Sequence, residues 1–406
     1  MKKIFKFLSV AAFGAVLLNA CQKDSSGNTG LSSEEKEMKA IVDQYVPNVI
    51  QTIYGHLADE TQTLYEQLDA LKEAFKANPD QVKQADVDQV CTTFLQARAY
   101  WEASEAFLYG AATDFGIDPH IDTWPLNRTD LANSLSNKSI VEALDEDVAV
   151  GNVGESSLGF HGIEFILFRE GKNRTVAALK GTETAAEFAG KDVTGREELI
   201  FATAVAADLR DKCFQLEVSW NEDAPEDHVE RVEEAELPCT LRNGNSYGKD
   251  MLSATEPGST YATFQEAISS ILVDGCSNIA QEVGNTKMGE AFRGDDPNYI
   301  ESPYSKKSFQ DFKDNILSCQ YSLYGAFEAK SAGSHSIMKF LQDHNAAQAK
   351  ALQSTLEGAL AALDACLATG VAFVDAPQAT YVGEAINAIN AFDAELNKTA
   401  EWVVKQ

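Results

Sequence analysis

The sequence predicts an all-α protein, and three observations carry that prediction. Apolar residues recur at helical spacing through most of the chain, no segment alternates apolar and polar residues as a strand would, and the pattern breaks at Asn, Pro and Gly. Residues 34–77 open the series behind a Ser32-Ser33 cap, with Ile41, Tyr45, Val49, Ile53, Leu57, Leu64, Leu68, Leu71 and Phe75 on one face until Asn78-Pro79 stops it. A second helix is predicted over about 82–110. From Gly110 to Gly159 the periodicity weakens and Gly, Pro, Asp and Asn become frequent, a loop-rich length that is often functional. Helix returns near 158–169 and 174–189, and Gly190 and Gly195 bracket a boundary. Beyond it the spacing predicts a helix to Trp220, a long connection over 221–258, and helices at about 260–292, 305–331, 335–369 and 378–404. The economical architecture is two helical-bundle domains, 34–195 and 196–406.

The amino terminus reads as an export signal. Lys2, Lys3 and Lys6 precede an apolar run from Phe7 to Leu18, too short to span a bilayer, which makes 1–20 a signal peptide. Leu18-Asn19-Ala20-Cys21 resembles the bacterial lipobox, so Cys21 is the expected lipidation site, with 21–33 as a flexible linker. The expected partner is therefore the membrane, reached through this lipid. The expected location is the cell envelope, in the outer membrane of a Gram-negative bacterium, and Gln22-Lys23-Asp24 resembles a surface-export tract.

Acidic residues outnumber basic ones, 62 to 33, a net charge of −29. That argues against nucleic acid as a partner and is compatible with cations. Cys91, Cys213, Cys239, Cys276, Cys319 and Cys366 form no CxxC pair, so neither a zinc knuckle nor a thioredoxin-type motif is present, and no disulfide connectivity follows.

Two constellations carry candidate chemistry. In the 82–110 segment, Phe94, Arg98, Trp101, Glu105 and Leu108 follow 4-3-4-3 spacing, which places Arg98 and Glu105 inside an apolar stripe, where charges need partners. Either they pair with each other or with neighbours, or Glu105, flanked by Glu102, points into a polar pocket as a metal-binding carboxylate does. In Gly159-Phe160-His161-Gly162-Ile163-Glu164, His161 and Glu164 share a helical face and can give one imidazole nitrogen and one carboxylate to a cation. The paired glycines permit close backbone approach. Glu105 and Glu102 are the further carboxylates, and Asp114, Asp118, His120 and Asp122 form another acidic source. HExxH is absent, which leaves a zinc peptidase short of ligands.

Several motifs in order resemble the imelysin family: Arg98-x-x-Trp101-Glu102-x-x-Glu105-Ala106-Phe107, Ile121-Asp122-Thr123-Trp124-Pro125-Leu126, Gly159-x-His161-x-x-Glu164, Phe292-Arg293-Gly294 and Glu301-Ser302-Pro303-Tyr304-Ser305. The resemblance spans roughly 35–404. It implies two bundles packed side by side, an exported protein tied to iron uptake, and a site built around His161 and Glu164 in a groove between the bundles. Trp124, Arg293, Ser302 and Tyr304 are the implied groove residues. The implied cofactor is iron, with zinc or another divalent metal compatible with the same ligands, and the implied partners are iron-transport components. Three functions are thus in view: metal binding for iron uptake through His161, Glu164, Glu105 and Glu102; a metallopeptidase with Glu164 and His161 as its catalytic pair; and a non-catalytic peptide- or glycan-binding helical module. The family is classed with metallopeptidases, yet the motifs present leave enzymatic activity undecided.

Overall fold

A computed structural model describes residues 30–147 and 150–406; the leader, Cys21 and most of the 21–33 linker lie outside the described residues. The described chain is all-α apart from a two-stranded antiparallel ribbon, Phe168–Arg169 with Lys172–Asn173, and an isolated bridge between Thr182 and Thr194.

Ser32 caps the first helix, Ser33–Tyr45. Its hydroxyl accepts from Glu35 N at 3.0 Å while the Glu35 carboxylate accepts from Ser32 N at 2.7 Å, two orphan donors satisfied reciprocally. The helical path widens into a π-helical stretch, Val46–Gln51, at Pro47, then resumes as Thr52–Ala77. Proline has no N–H for the ladder, so the widening falls where a bond is missing.

The second predicted helix ends at Glu102 instead of near 110. Ser104 Oγ donates to the Trp101 carbonyl at 2.6 Å and the chain tightens into a 3₁₀ turn, Glu105–Phe107, the competition a short hydroxyl side chain offers a helix. Glu105 therefore leaves the helical stripe that spacing predicted. The predicted 174–189 helix is also broken. It survives as Val176–Leu179, capped by Thr175. Beyond it Glu183 accepts from Thr184 N and Ala185 N, both at 2.8 Å, and pairs with Arg169 and Arg174, so local side-chain bonds replace the helical ladder. The 221–258 connection carries two short helices, Glu226–Glu234 and Tyr247–Leu252.

Helix Gly195–Trp220, on the C-terminal side of the boundary expected at 195, packs on Thr52–Ala77 and on Gly159–Leu167, and Thr52–Ala77 packs in turn on Gln84–Glu102. Phe264–Ser270 runs on through π-helical segments Ile271–Ser277 and Glu282–Lys287. This run and the helices Ser308–Tyr324, Ala346–Ala368 and Thr380–Val403 make the second bundle. Helix 308–324 also packs on 84–102, and one hydrophobic core runs through both bundles. Trp101, Trp220, Tyr54 and Phe312 are among its fully buried side chains, each worth about 1.5–3 kcal/mol or more in area removed from water.

Candidate functional site

Two glycines set the site. Gly159 has φ +64°, and a Cβ there would stand 1.9 Å from the Ile121 carbonyl oxygen; at Gly162 a Cβ would stand 2.2 Å from the Ser157 carbonyl oxygen. Only a chain without these side chains can lay the helix Gly159–Leu167 against the Ile121 backbone at Gly159 and the Ser157 backbone at Gly162. That approach brings Asp122 Oδ1 to 3.0 Å from His161 Nε2.

Around this contact is a buried cluster of charges. Arg98 pairs with Glu102 and Asp122 and reaches Glu301 at 2.5 Å. Trp101 Nε1 donates to Asp122 Oδ2 at 2.9 Å, and Asn315 donates to the Glu102 carboxylate. From the π-helical segment 282–287, Lys287 Nζ enters at 3.2 Å from Glu105, 3.3 Å from Glu301 and 3.9 Å from Glu102. Each of these charged side chains is buried. Arg98 and Glu105 thus do not pair with each other; each has its own counter-ions.

His161 and Glu164 face one another, Nδ1 to Oε2, at 3.7 Å. The other Glu164 oxygen accepts from Tyr304 N at 3.1 Å and from Ser305 N and Oγ at 2.7 Å each. Glu164 is therefore tied to the 304–305 backbone and backs the imidazole from behind.

The electrostatics follow from burial and imbalance. Five carboxylates, Glu102, Glu105, Asp122, Glu164 and Glu301, face three cationic groups, Arg98, Lys287 and His161. Burial pushes the Glu102 and Glu105 carboxyls well above the ordinary range, more than Arg98 and Lys287 pull them back. Asp122 goes the other way: burial opposes its charge, but Arg98 and His161 hold it well below the carboxylate range. Burial likewise opposes a charged His161, and Asp122 and Glu164 outweigh it, raising the imidazole to about 9. Excess negative charge in a dry cluster must be met by protons or by a cation.

Two ligand groupings emerge. Asp122, His161 and Glu301 each offer an atom within 4.8 Å of the others, and so do Glu102, Glu105 and Asp122. In the first, Glu301 Oε2 is buried without a hydrogen-bond partner, and His161 Nε2, also buried and making no hydrogen bond, has Asp122 Oδ1 3.0 Å away as an ion-pair neighbour. Here the structure fits a metal ion. In the second, which has no histidine, all three carboxylates pair with Arg98 or Lys287; in the first, Arg98 also pairs with Asp122 and with Glu301 Oε1, and Glu301 Oε2 is left without a partner.

A cavity of about 340 Å³ opens onto His161, walled by Trp124, Leu126, Ile300, Pro303 and Tyr304 with Arg128 at its side. Trp124 and Tyr304, expected in a groove, line it, and Trp124 packs on Tyr299 with ring centroids 4.1 Å apart. Ser302 is buried beside Asp311. Arg293 is exposed and pairs with Asp295 at 2.6 Å, away from this cavity's walls. Of the 114–122 series, Asp122 enters the cluster, whereas His120 pairs with Asp208 at 2.7 Å and Asp114 accepts from Tyr247. Glu301 and Lys287 were not picked out as site residues by spacing. Glu301 opens the Glu-Ser-Pro-Tyr-Ser stretch, the one signal it offers, and Lys287 gives none.

The imelysin model of peptidase family M75 matches residues 50–396. A protein named iron-regulated protein A, from Synechococcus elongatus, is 24% identical over 350 residues, 86% of this chain and 79% of the relative. Among solved structures, an iron-regulated protein A precursor from Parabacteroides distasonis superposes with a TM-score of 0.71 at 22% identity, covering 92% of this chain and 96% of that one. An imelysin-like protein from Psychrobacter arcticum gives a TM-score of 0.55 at 12% identity, covering 90% and 94%. These two structural likenesses establish the shared fold, and with the match over 50–396 the chain belongs to the imelysin family.

Proposed function

We propose that this protein binds a metal ion, iron first among the candidates, at Asp122, His161 and Glu301, and serves iron uptake at the cell envelope. The observation that carries the reading is the pair of buried ligand atoms without a hydrogen bond, His161 Nε2 and Glu301 Oε2, grouped with Asp122, where His161 also lines an open cavity. One imidazole with two carboxylates suits iron or manganese better than a zinc site rich in histidine or cysteine. The name of the Synechococcus relative points to iron in particular. Glu164 orients His161 in this reading, and Glu102 and Glu105 hold Arg98 and Lys287 in place.

Calorimetric titration of the mature protein with Fe(II), Mn(II) and Zn(II) tests the site. His161→Ala and Glu301→Gln are each expected to weaken binding by about tenfold or more; unchanged affinity and stoichiometry in both would overturn it. A lipid on Cys21 would hold this site at the envelope, where an ion can be passed to a transport system. Mass spectrometry of the amino-terminal peptide from membrane fractions, with Cys21→Ser as the control, decides that anchorage.

A further inference from the structure

We infer that the protein carries a second binding site, for a small hydroxylated carboxylate such as a hexuronate, in the cavity between the 114–115 turn and the 240–260 loop. This cavity, about 620 Å³, is lined by Asp114, Phe115, Thr240, Arg242, Tyr247 and Thr260 among others, and shares no residue with the walls of the His161 cavity.

Arg242 carries the inference. Every other arginine of the chain, from Arg98 to Arg293, has a carboxylate within 4.0 Å; Arg242 has none among the described residues. In a chain with 62 acidic against 33 basic residues, a guanidinium left unpaired on a cavity wall is available to a ligand's carboxylate, which it can hold through two parallel N–H donors.

The remaining wall fits the rest of such a ligand. Phe115 and Tyr247 meet edge to face with centroids 5.8 Å apart and give an apolar surface for ring C–H groups. Tyr247 donates to Asp114 Oδ2 at 2.8 Å, which fixes the carboxylate while leaving Oδ1 to accept from a ligand hydroxyl.

The loop is preorganised from within. Asp250, 1% exposed, accepts from Thr260 N at 3.1 Å and from the Thr260 hydroxyl. Asn243 accepts from Asn245 N at 3.0 Å and donates to the Gly258 carbonyl at 2.8 Å. Asn243 is thus consumed in shaping the loop, and Arg242, next to it in the turn, stands exposed on the cavity wall. A site whose shape is set before binding loses less entropy when it fills.

Titration of the full mature chain with D-glucuronate and with D-glucose, followed by ligand-observed NMR and calorimetry, tests the site. Binding of glucuronate is expected, with glucose weaker by about tenfold or more. Arg242→Ala should abolish the preference, and Arg242→Lys should retain part of it, with the denaturation midpoint of both variants unchanged. No binding of glucuronate, equal binding of glucose, or full glucuronate affinity in Arg242→Ala would each overturn the inference. Metal binding at His161 is untouched by any of these outcomes, so the two sites stand or fall separately.

Discussion

Arg98 Nη2 lies 2.5 Å from Glu301 Oε1, joining the helix Gln84–Glu102 to a segment 203 residues later in the chain. The same guanidinium neutralises Glu102 and Asp122. Arg98→Leu would take the shared counter-charge from three buried carboxylates and leave them to Lys287 and His161, and removing one member of a buried charge network costs about 3–5 kcal/mol. Urea denaturation should show that loss. Arg98→Lys should recover little of it, since a single ammonium cannot reproduce the fork that spans these partners.

The meeting of Asp122 with His161 depends on backbone approach, and this makes Gly159 decisive. Gly159→Ala adds a methyl 1.9 Å from the Ile121 carbonyl oxygen at a residue whose φ is +64°. Neither the clash nor the left-handed backbone can be relieved without moving the 121–122 segment. The variant should unfold about 2–4 kcal/mol more easily and bind metal more weakly than wild type, read by calorimetry under conditions where it remains folded. Gly358→Ala, in open space on the 346–368 helix, is the matched control and should be neutral or slightly stabilising.

The all-α class was legible because burial of one helical face repeats every three to four residues in sequence, as it does from Ile41 to Phe75. The ends of elements were less so. The helix through Arg98 stops at Glu102 because Ser104 bonds the Trp101 carbonyl, and the helix expected after 174 breaks because Glu183 finds Arg169 and Arg174; neither contact is encoded in periodicity. At the site, His161 and Glu164, with Glu105 and Glu102, could be named from local pattern, while Asp122 stood out only as one member of an acidic series. Glu301 and Lys287 could not be given roles, since their partners lie in other helices and only folding sets them beside Arg98 and Glu105.

The cysteines make a separate prediction. Cys91, Cys213, Cys276, Cys319 and Cys366 are buried free thiols, while Cys239 is half-buried. Burial raises the thiol pKa of Cys91 to about 12 and of Cys366 to about 11, and keeps reactive thiolate scarce. Titration of the reduced protein with a thiol reagent should therefore label Cys239 ahead of these five, and Cys239→Ser should remove the early phase. The five buried thiols should react only as the protein unfolds.

Asp314 tests how burial sets pH dependence outside the charge cluster. It is half-buried on the 308–324 helix, where burial raises its carboxyl to about 7 against the opposing pull of a hydrogen bond from Gln310 and the charge of Lys313. Lys313 itself is engaged by Asp364 at 2.6 Å, which limits the help it gives. A carboxyl whose folded pKa exceeds its unfolded one binds a proton more tightly in the folded state. Folding stability from this group therefore falls as pH rises from about 4 to about 7, and the loss is complete above that window. Asp314→Asn removes the titration. Its denaturation free energy should exceed wild type by about 1–2 kcal/mol at pH 8, discounted for partial exposure, and approach wild type near pH 4. Parallel pH profiles for the two proteins would show that the carboxyl is not the source of the dependence.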